Sequence, residues 1–223
     1  MQLATHPSRD DLERAEAHEI IQWAHRQFGD GMVATCSFGD AVMPSLIARA
    51  LPGAEIVLLD TNYLFAETLW FAERVCERFG LRLRHVIPDS EVGYDDMWMV
   101  DTDSCCRRRK VEPLQRVLAD RTAWVTGLRR ADGPSRLATP IAARELQHNV
   151  VKINPIATWS DADVARYSAE YDLPTHPLAD RGYPSIGCWP CTRPVGVGED
   201  ARAGRWAGSG KTECGLHLSP AGG

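Results

Sequence analysis

The alternation of short apolar runs with helix-compatible stretches most constrains how this chain folds. The runs are GMVATCSF (31–38), AEIVLLD (54–60), LRLRHVI (81–87), RTAWVTG (121–127) and VVKINPI (150–156). Continuous apolar strands alternating with helices predict an α/β fold whose mostly parallel sheet is covered on both faces. Residues 10–28 put Leu12, Ala15, Ile20, Ala24 and Phe28 at helical intervals, with Ser8 or Asp10 as cap and Gly29 as stop. Pro52-Gly53 ends a helix-compatible stretch between the first two strands, and residues 63–80 form another helix closed by Gly80. A length of 223 residues suits one such domain better than two. From about Asp172 the chain turns rich in Gly and Pro, which predicts an irregular segment ending in a mobile tail.

Lys and Arg number 25 against 30 Asp and Glu, a net charge of -5, so no global attraction toward nucleic acid or an anionic membrane is expected. The N-terminus is polar and charged, and no run approaches the roughly 18 apolar residues of a membrane span. The expectation is a soluble cytoplasmic protein. In a reducing compartment, an odd count of seven cysteines points to metal or redox chemistry rather than structural disulfides.

Cys105 and Cys106 stand side by side in DSCCRRRK, and Cys188 and Cys191 form a C-x-x-C in GCWPC. Four thiolates suit zinc, an iron–sulfur cluster or a redox disulfide; the vicinal pair favours the cluster, because adjacent cysteines cannot adopt the knuckle of a zinc site. Arg107, Arg108, Arg109 and Lys110 spread around a helix axis, so most of them face water while one or two can turn inward. Lys110 is the preferred inward cation, placed to offset a cluster's charge and touch an anion.

TCSFGDA (35–41) follows the first strand, where backbone N–H groups with Ser37 and Gly39 either cradle an anion or simply make the turn. GLRRADGPSR (127–136) follows a later strand and gathers Arg129, Arg130 and Arg136, as anion forks or as ordinary loop charges. In KTECGLHL, Cys214 has no second cysteine nearby and is flanked by Lys211 and His217. It reads as a nucleophile on a movable arm, or as a tail cysteine with chance neighbours. Cys36 and Cys76 lie in apolar segments and read as small core residues.

Taken in order, CCRRRKVEPL, WVTGLRR, KINPIATWSDADV, GYPSIGCWPC and KTECGLH resemble the assimilatory adenylyl-sulfate (adenosine 5′-phosphosulfate, APS) reductases, the iron–sulfur branch of the phosphosulfate reductase family. The resemblance runs from about residue 31 to 218 and implies an ATP-pyrophosphatase-like (adenine-nucleotide α-hydrolase-like) fold. By position it implies a 4Fe–4S cluster on Cys105, Cys106, Cys188 and Cys191, and Cys214 as the catalytic nucleophile. Thr35, Ser37, Leu59, Gly127 and Arg136 would surround the nucleotide, Lys110 would stand between cluster and substrate, and Arg202, Arg205 and His217 would close on the phosphosulfate. Residues 1–192 would be the nucleotide-binding domain and 193–223 the mobile tail carrying the nucleophile.

The activity so implied is thioredoxin-dependent reduction of APS to sulfite and AMP through an enzyme S-sulfocysteine, within sulfate assimilation and cysteine biosynthesis. Thioredoxin is the implied protein partner, and a homo-oligomer is compatible with the sequence. The 3′-phosphorylated substrate PAPS, alone or beside APS, is the alternative. Two departures from the family pattern stand out: the loop reads TCSFGDA rather than an S-F-S-G-like turn, and His176 replaces a usual Asn in LPTHPL.

Overall fold

In the computed structural model, which describes residues 3–217, the expected strands are β1 (Met32–Ala34), β2 (Glu55–Leu59), β3 (Arg82–Val86), β4 (Ala123–Val125) and, last, Val150–Ile153. Between the last two lies a strand with no sequence signal, Ala142–Glu145, so the elements are β5 (Ala142–Glu145) and β6 (Val150–Ile153). The strand sequence AARE carries no β-branched residue, and pairing to β6 alone defines it; it is antiparallel, whereas β1–β4, β4–β6 and β2–β3 are parallel. A bridge from Thr35 to Val57 and a Cys36 N–H to Val57 carbonyl bond of 2.9 Å join the two pairs of strands. The spatial order is therefore β3-β2-β1-β4-β6-β5.

The expected opening helix is two helices, α1 (Arg9–Arg14) and α2 (Ala17–Phe28). Ala15 turns extended at ψ 150°, and the Glu16 N–H restarts the helix by donating to Glu19 Oε2 at 3.2 Å. Ser8 caps α1 and Gly29 closes α2. There follow α3 (Val42–Ala50), α4 (Ala66–Phe79), a short α5 (Met97–Val100), α6 (Thr102–Cys106), α7 (Glu112–Leu118) and α8 (Asp161–Glu170). Gly80 ends α4 in the left-handed conformation at φ 65°. Among the described residues no helix is long and apolar enough to cross a membrane.

Strand alternation sorts the core into two faces. Ala34, Ile56, Leu58, Ala123 and Val125 pack with residues of α2, α3 and α4, while Val33, Val57 and Trp124 pack with Leu114, Val117 and Leu118 of α7. The chain proceeds from β1 outward to β2 and β3, then crosses back to β4 on the other side of β1. That reversal opens a crevice beyond the carboxyl ends of β1 and β4, where open α/β sheets receive ligands.

Residues 193–206 fold back on the C-x-x-C segment. The Arg193 N–H donates to Gly204, the Trp206 N–H to the Cys191 carbonyl at 2.9 Å, and Thr192 bridges Arg205. The boundary expected at 192/193 thus falls inside a hydrogen-bonded loop; of the tail drawn from 193, residues 218–223 lie outside the described part.

Candidate active site

The crevice is a cleft of about 500 Å³. Its walls include Thr35 and Ser37 after β1, Leu59 at the end of β2, Gly127 after β4, and Arg136 in the following loop. Lys110, Arg202, Arg205, Cys214 and His217 complete the set, so the substrate contacts and nucleophile that the resemblance implies all reach one cavity, whereas Arg130, grouped with Arg129 and Arg136 as an anion fork, turns away to donate to Glu13 at 3.0 and 2.6 Å. Of the 35–41 loop, Phe38 adopts φ 53° and buries its ring completely, which turns the chain without a second glycine. Thr35 Oγ1 accepts from Trp124 Nε1 at 2.8 Å, tying the loop to β4.

A second, smaller cavity adjoins it, lined by Cys105, Cys106, Cys188 and Cys191 with Tyr63, Trp98, Pro190 and Arg109. Burial pushes the Cys106 and Cys191 thiols up to about 11 and raises Cys105 as well, so free thiolates are disfavoured there. A donor set of four soft sulfurs without carboxylate or imidazole fits an iron–sulfur or zinc centre, whose positive charge would reverse that penalty. Among the described residues no three His, Cys, Asp or Glu close on one point at single-ion spacing. The thiols share a chamber rather than a preformed tetrahedral site.

The path between the two cavities runs through Lys110, Arg205 and Trp206, which line both. Lys110 gets there because Arg107–Val111 forms a π-helical turn between α6 and α7. Such a turn inserts a residue into the ladder and re-aims its neighbours. Two of the four consecutive cations therefore point inward, Arg109 and Lys110, while Arg107 stays exposed. Burial lowers the Lys110 pKa, but the Cys188 and Cys214 sulfurs outweigh it, and the ammonium titrates above its ordinary value.

Arg109 was missed as a site residue by sequence reasoning. Its guanidinium is 2 % exposed, pairs with Asp95 at 3.2 Å, donates to the Thr61 and Gly93 carbonyls, and lies 4.3 Å from the centre of the Tyr63 ring. It anchors the wall of the cysteine chamber.

The Arg205 guanidinium donates to the Ile186 carbonyl at 3.2 Å, and its buried Nε has no partner among the described residues. Gly187 makes room for it: a Cβ there would collide with the guanidinium. Gly215, at φ 87°, provides the turn that brings Cys214 to the cleft wall.

Three further residues escaped the sequence reading. Glu213 is bound by Arg136 through two hydrogen bonds of 2.7 and 2.8 Å and lies 3.7 Å from Arg202. Trp124 stacks on His217 with ring centres 5.4 Å apart and planes at 21°. Lys152 of β6 meets His217 Nδ1 at 3.0 Å. The signal for Glu213 lay in its place beside Cys214 in KTECGLH, with the cations Arg129, Arg130 and Arg136 gathered in another loop. Lys152 carried no signal, because only the strand order brings β6 to the tail. His176 is buried and its Nδ1 accepts from the Leu178 N–H at 3.1 Å, so it packs in the fold and takes no part in the cleft.

Residues 31–194 match the model of the phosphoadenosine phosphosulfate reductase domain. A protein of Streptomyces coelicolor named adenosine 5′-phosphosulfate reductase is 46% identical over 213 residues, covering 93% of this chain and 90% of its own. One of Mycobacteroides abscessus with the same name is 42% identical over 215 residues, covering 94% and 91%. A crystal structure of phosphoadenylyl-sulfate reductase from Candida auris in a phosphate complex superposes with a TM-score of 0.67 at 25% identity, over 85% of this chain and 98% of that one. FMN adenylyltransferase from Candida glabrata shares the fold at a TM-score of 0.56 and 15% identity, over 83% and 66%.

Proposed function

The chain belongs to the phosphoadenosine phosphosulfate reductase family, and from that premise we propose that it reduces APS to sulfite and AMP in sulfate assimilation, using thioredoxin as the electron donor. The observation that carries this reading is the placement of Cys214 on the wall of the nucleotide-sized cleft, with Lys110 between that cleft and a chamber of four cysteines.

The Cys214 thiolate attacks the sulfur of APS. A Sγ–S bond forms while the bond from sulfur to the bridging phosphate oxygen breaks, and AMP leaves with that electron pair. The enzyme is left as an S-sulfocysteine. A thioredoxin thiolate then attacks the Cys214 sulfur and expels sulfite. The second thioredoxin thiol resolves the mixed disulfide, which returns Cys214 as a thiol and leaves thioredoxin oxidised.

The departing phosphate is a stable dianion, so the protein's part is alignment and cationic stabilisation of oxygens on sulfur and phosphorus. Lys110, Arg202, Arg205 and Arg136 line the cleft for that purpose. Thr35, Ser37, Leu59 and Gly127, which line the same cleft, would face the nucleotide. Cys105, Cys106, Cys188 and Cys191 would hold a 4Fe–4S cluster, which together with its four thiolates would carry a net negative charge facing the Lys110 ammonium. With four protein ligands the cluster would have no obligatory open position, and its role would be electrostatic and structural.

Intact-mass measurement after anaerobic incubation with APS or, separately, PAPS, without thioredoxin, tests the assignment. A thiol-labile sulfo adduct mapped to Cys214 with APS alone is the expected result, and Cys214→Ser abolishes it while keeping the cofactor. An adduct with both nucleotides extends the substrate to PAPS. No adduct on cofactor-loaded protein refutes the covalent mechanism.

A further inference from the structure

His217 has two ring nitrogens, and Nδ1 is the one that meets Lys152. Nδ1 lies 3.0 Å from the Lys152 ammonium. The ring stacks on the indole of Trp124, and the same indole carries the Lys152 Nζ 4.6 Å from its centre. Trp124 is itself immobilised, 1% exposed and bonded through Nε1 to Thr35 Oγ1 at 2.8 Å. Lysine, imidazole and indole thus form one packed unit over the paired positions Trp124 and Lys152 of β4 and β6, and the indole and His217 both line the cleft.

We infer that Lys152 is a positioning residue for His217: its ammonium donates to Nδ1 and so fixes the tautomer that carries its proton on Nε2, leaving Nε2–H as a donor to the substrate anion. A protonated lysine has three donors and no acceptor, so the nitrogen it meets must be the acceptor. The remaining proton then belongs to Nε2, and a neutral donor aimed at developing negative charge stabilises it without adding a second titrating cation. This role rests on the sulfur-transfer reading above.

The electrostatics agree with this assignment. Burial, together with Lys152, Arg136, Arg202 and Lys110, holds His217 well below its ordinary value, so the ring is neutral at physiological pH. Burial also draws Lys152 down to about 8, partly offset by Glu145, Glu213 and Cys214, while Arg136 pushes it the same way as burial. At neutral pH Lys152 is mostly protonated and enforces the tautomer. As pH rises through about 8 the neutral amine can also accept, and the constraint relaxes.

Nitrogen NMR of the imidazoles in protein labelled at histidine, with His217→Gln identifying the resonance, reads the tautomer directly. The wild-type enzyme and Lys152→Arg should show Nε2–H at neutral pH. Lys152→Met should show a mixture of both tautomers, with a folded circular dichroism spectrum. Kinetically, Lys152→Met should lower kcat for APS about tenfold, the scale of one misdirected hydrogen bond. In the His217→Asn background the same change should have almost no effect. An unaltered tautomer in Lys152→Met, or kinetic losses that multiply in the double variant, would overturn the assignment. The tautomer is read without turnover, so it holds or fails independently of whether Cys214 forms the sulfo adduct.

Discussion

Glu213 faces Arg136 side-on, its two carboxylate oxygens accepting from Nε and Nη2 at 2.7 and 2.8 Å, and this pairing holds the residue next to Cys214 against the wall of the cleft. Ser135 Oγ adds a bond of 3.3 Å, and Arg202 grips the neighbouring Thr212 carbonyl at 3.1 Å. Bidentate pairs of this kind fix geometry as well as energy. Glu213→Gln keeps the shape and removes the charge, and should speed alkylation of Cys214 by iodoacetamide about tenfold as the segment opens more often. Burial pushes the Glu213 carboxyl up, but the bonds and charge of Arg136 outweigh it and hold it below its ordinary 4.5. The latch is therefore intact above that value and is lost only as pH falls through the lower folded one. An alkylation rate indifferent to Glu213→Gln would show that the segment is held by other contacts.

Lys110 should behave differently from Lys152 in a pH profile. Burial and Arg205 pull its ammonium down, but the Cys188, Cys214 and Cys106 sulfurs outweigh them, so it titrates above the ordinary lysine value and stays charged throughout the accessible range. Lys152 titrates near 8. An alkaline limb in kcat near that value should survive Lys110→Arg and disappear in Lys152→Met. Lys110→Met should lower kcat/KM by about 100-fold, in keeping with the loss of one preorganised charge at the reacting group, while iron and sulfide content stays at the wild-type level.

The parallel sheet was legible from its apolar runs, clearest in β1, β2 and β4, and the cleft because TCSFGDA and GLRRADGPSR each follow a strand beside the point where strand order reverses. Cys214, Lys110 and the arginines were legible as members of motifs, and they converge in space. What stayed hidden depended on pairing and not on local pattern. β5 exists because β6 offers it an edge, and the break at Ala15 occurs among residues that are ordinary helix formers. Arg109 and Lys110 turn inward through a π-helical turn that no periodicity announces. Lys152 shares its face of β6 with the buried Val150, beside Trp124, and acquires meaning only when the tail returns, some sixty residues later, to lay His217 beside it.

Arg109 supplies a stability test. Its charge is buried and its donors go to Asp95, Thr61, Gly93 and Tyr63, so Arg109→Met leaves a carboxylate and two carbonyls without their partner. Removing one side of a buried pair costs about 3–5 kcal/mol. The expected outcome is a clear fall in thermal midpoint together with reduced iron and sulfide content, because Tyr63 and the cysteines share the chamber that Arg109 supports. Arg109→Lys, which keeps the charge but not the fork, should recover part of the midpoint.

His176 makes the fold sensitive to acid. It is 2% exposed, its Nδ1 accepts from the Leu178 N–H at 3.1 Å, and its Nε2 must therefore carry the proton it donates to Thr68 Oγ1 at 3.1 Å. Burial lowers its pKa from 6.5 to about 4, against a small opposing pull from Glu67. Above 6.5 neither folded nor unfolded chain protonates this ring, and its contribution is fully present. Below it the unfolded chain takes up a proton that the folded one refuses, and stability declines until pH reaches about 4. The loss approaches about 3 kcal/mol at most. His176→Asn can supply an acceptor to Leu178 and a donor to Thr68 without a titrating group. Urea midpoints measured between pH 7 and pH 4.5 should fall less steeply in that variant than in the wild-type protein, and equal slopes would place the acid sensitivity elsewhere.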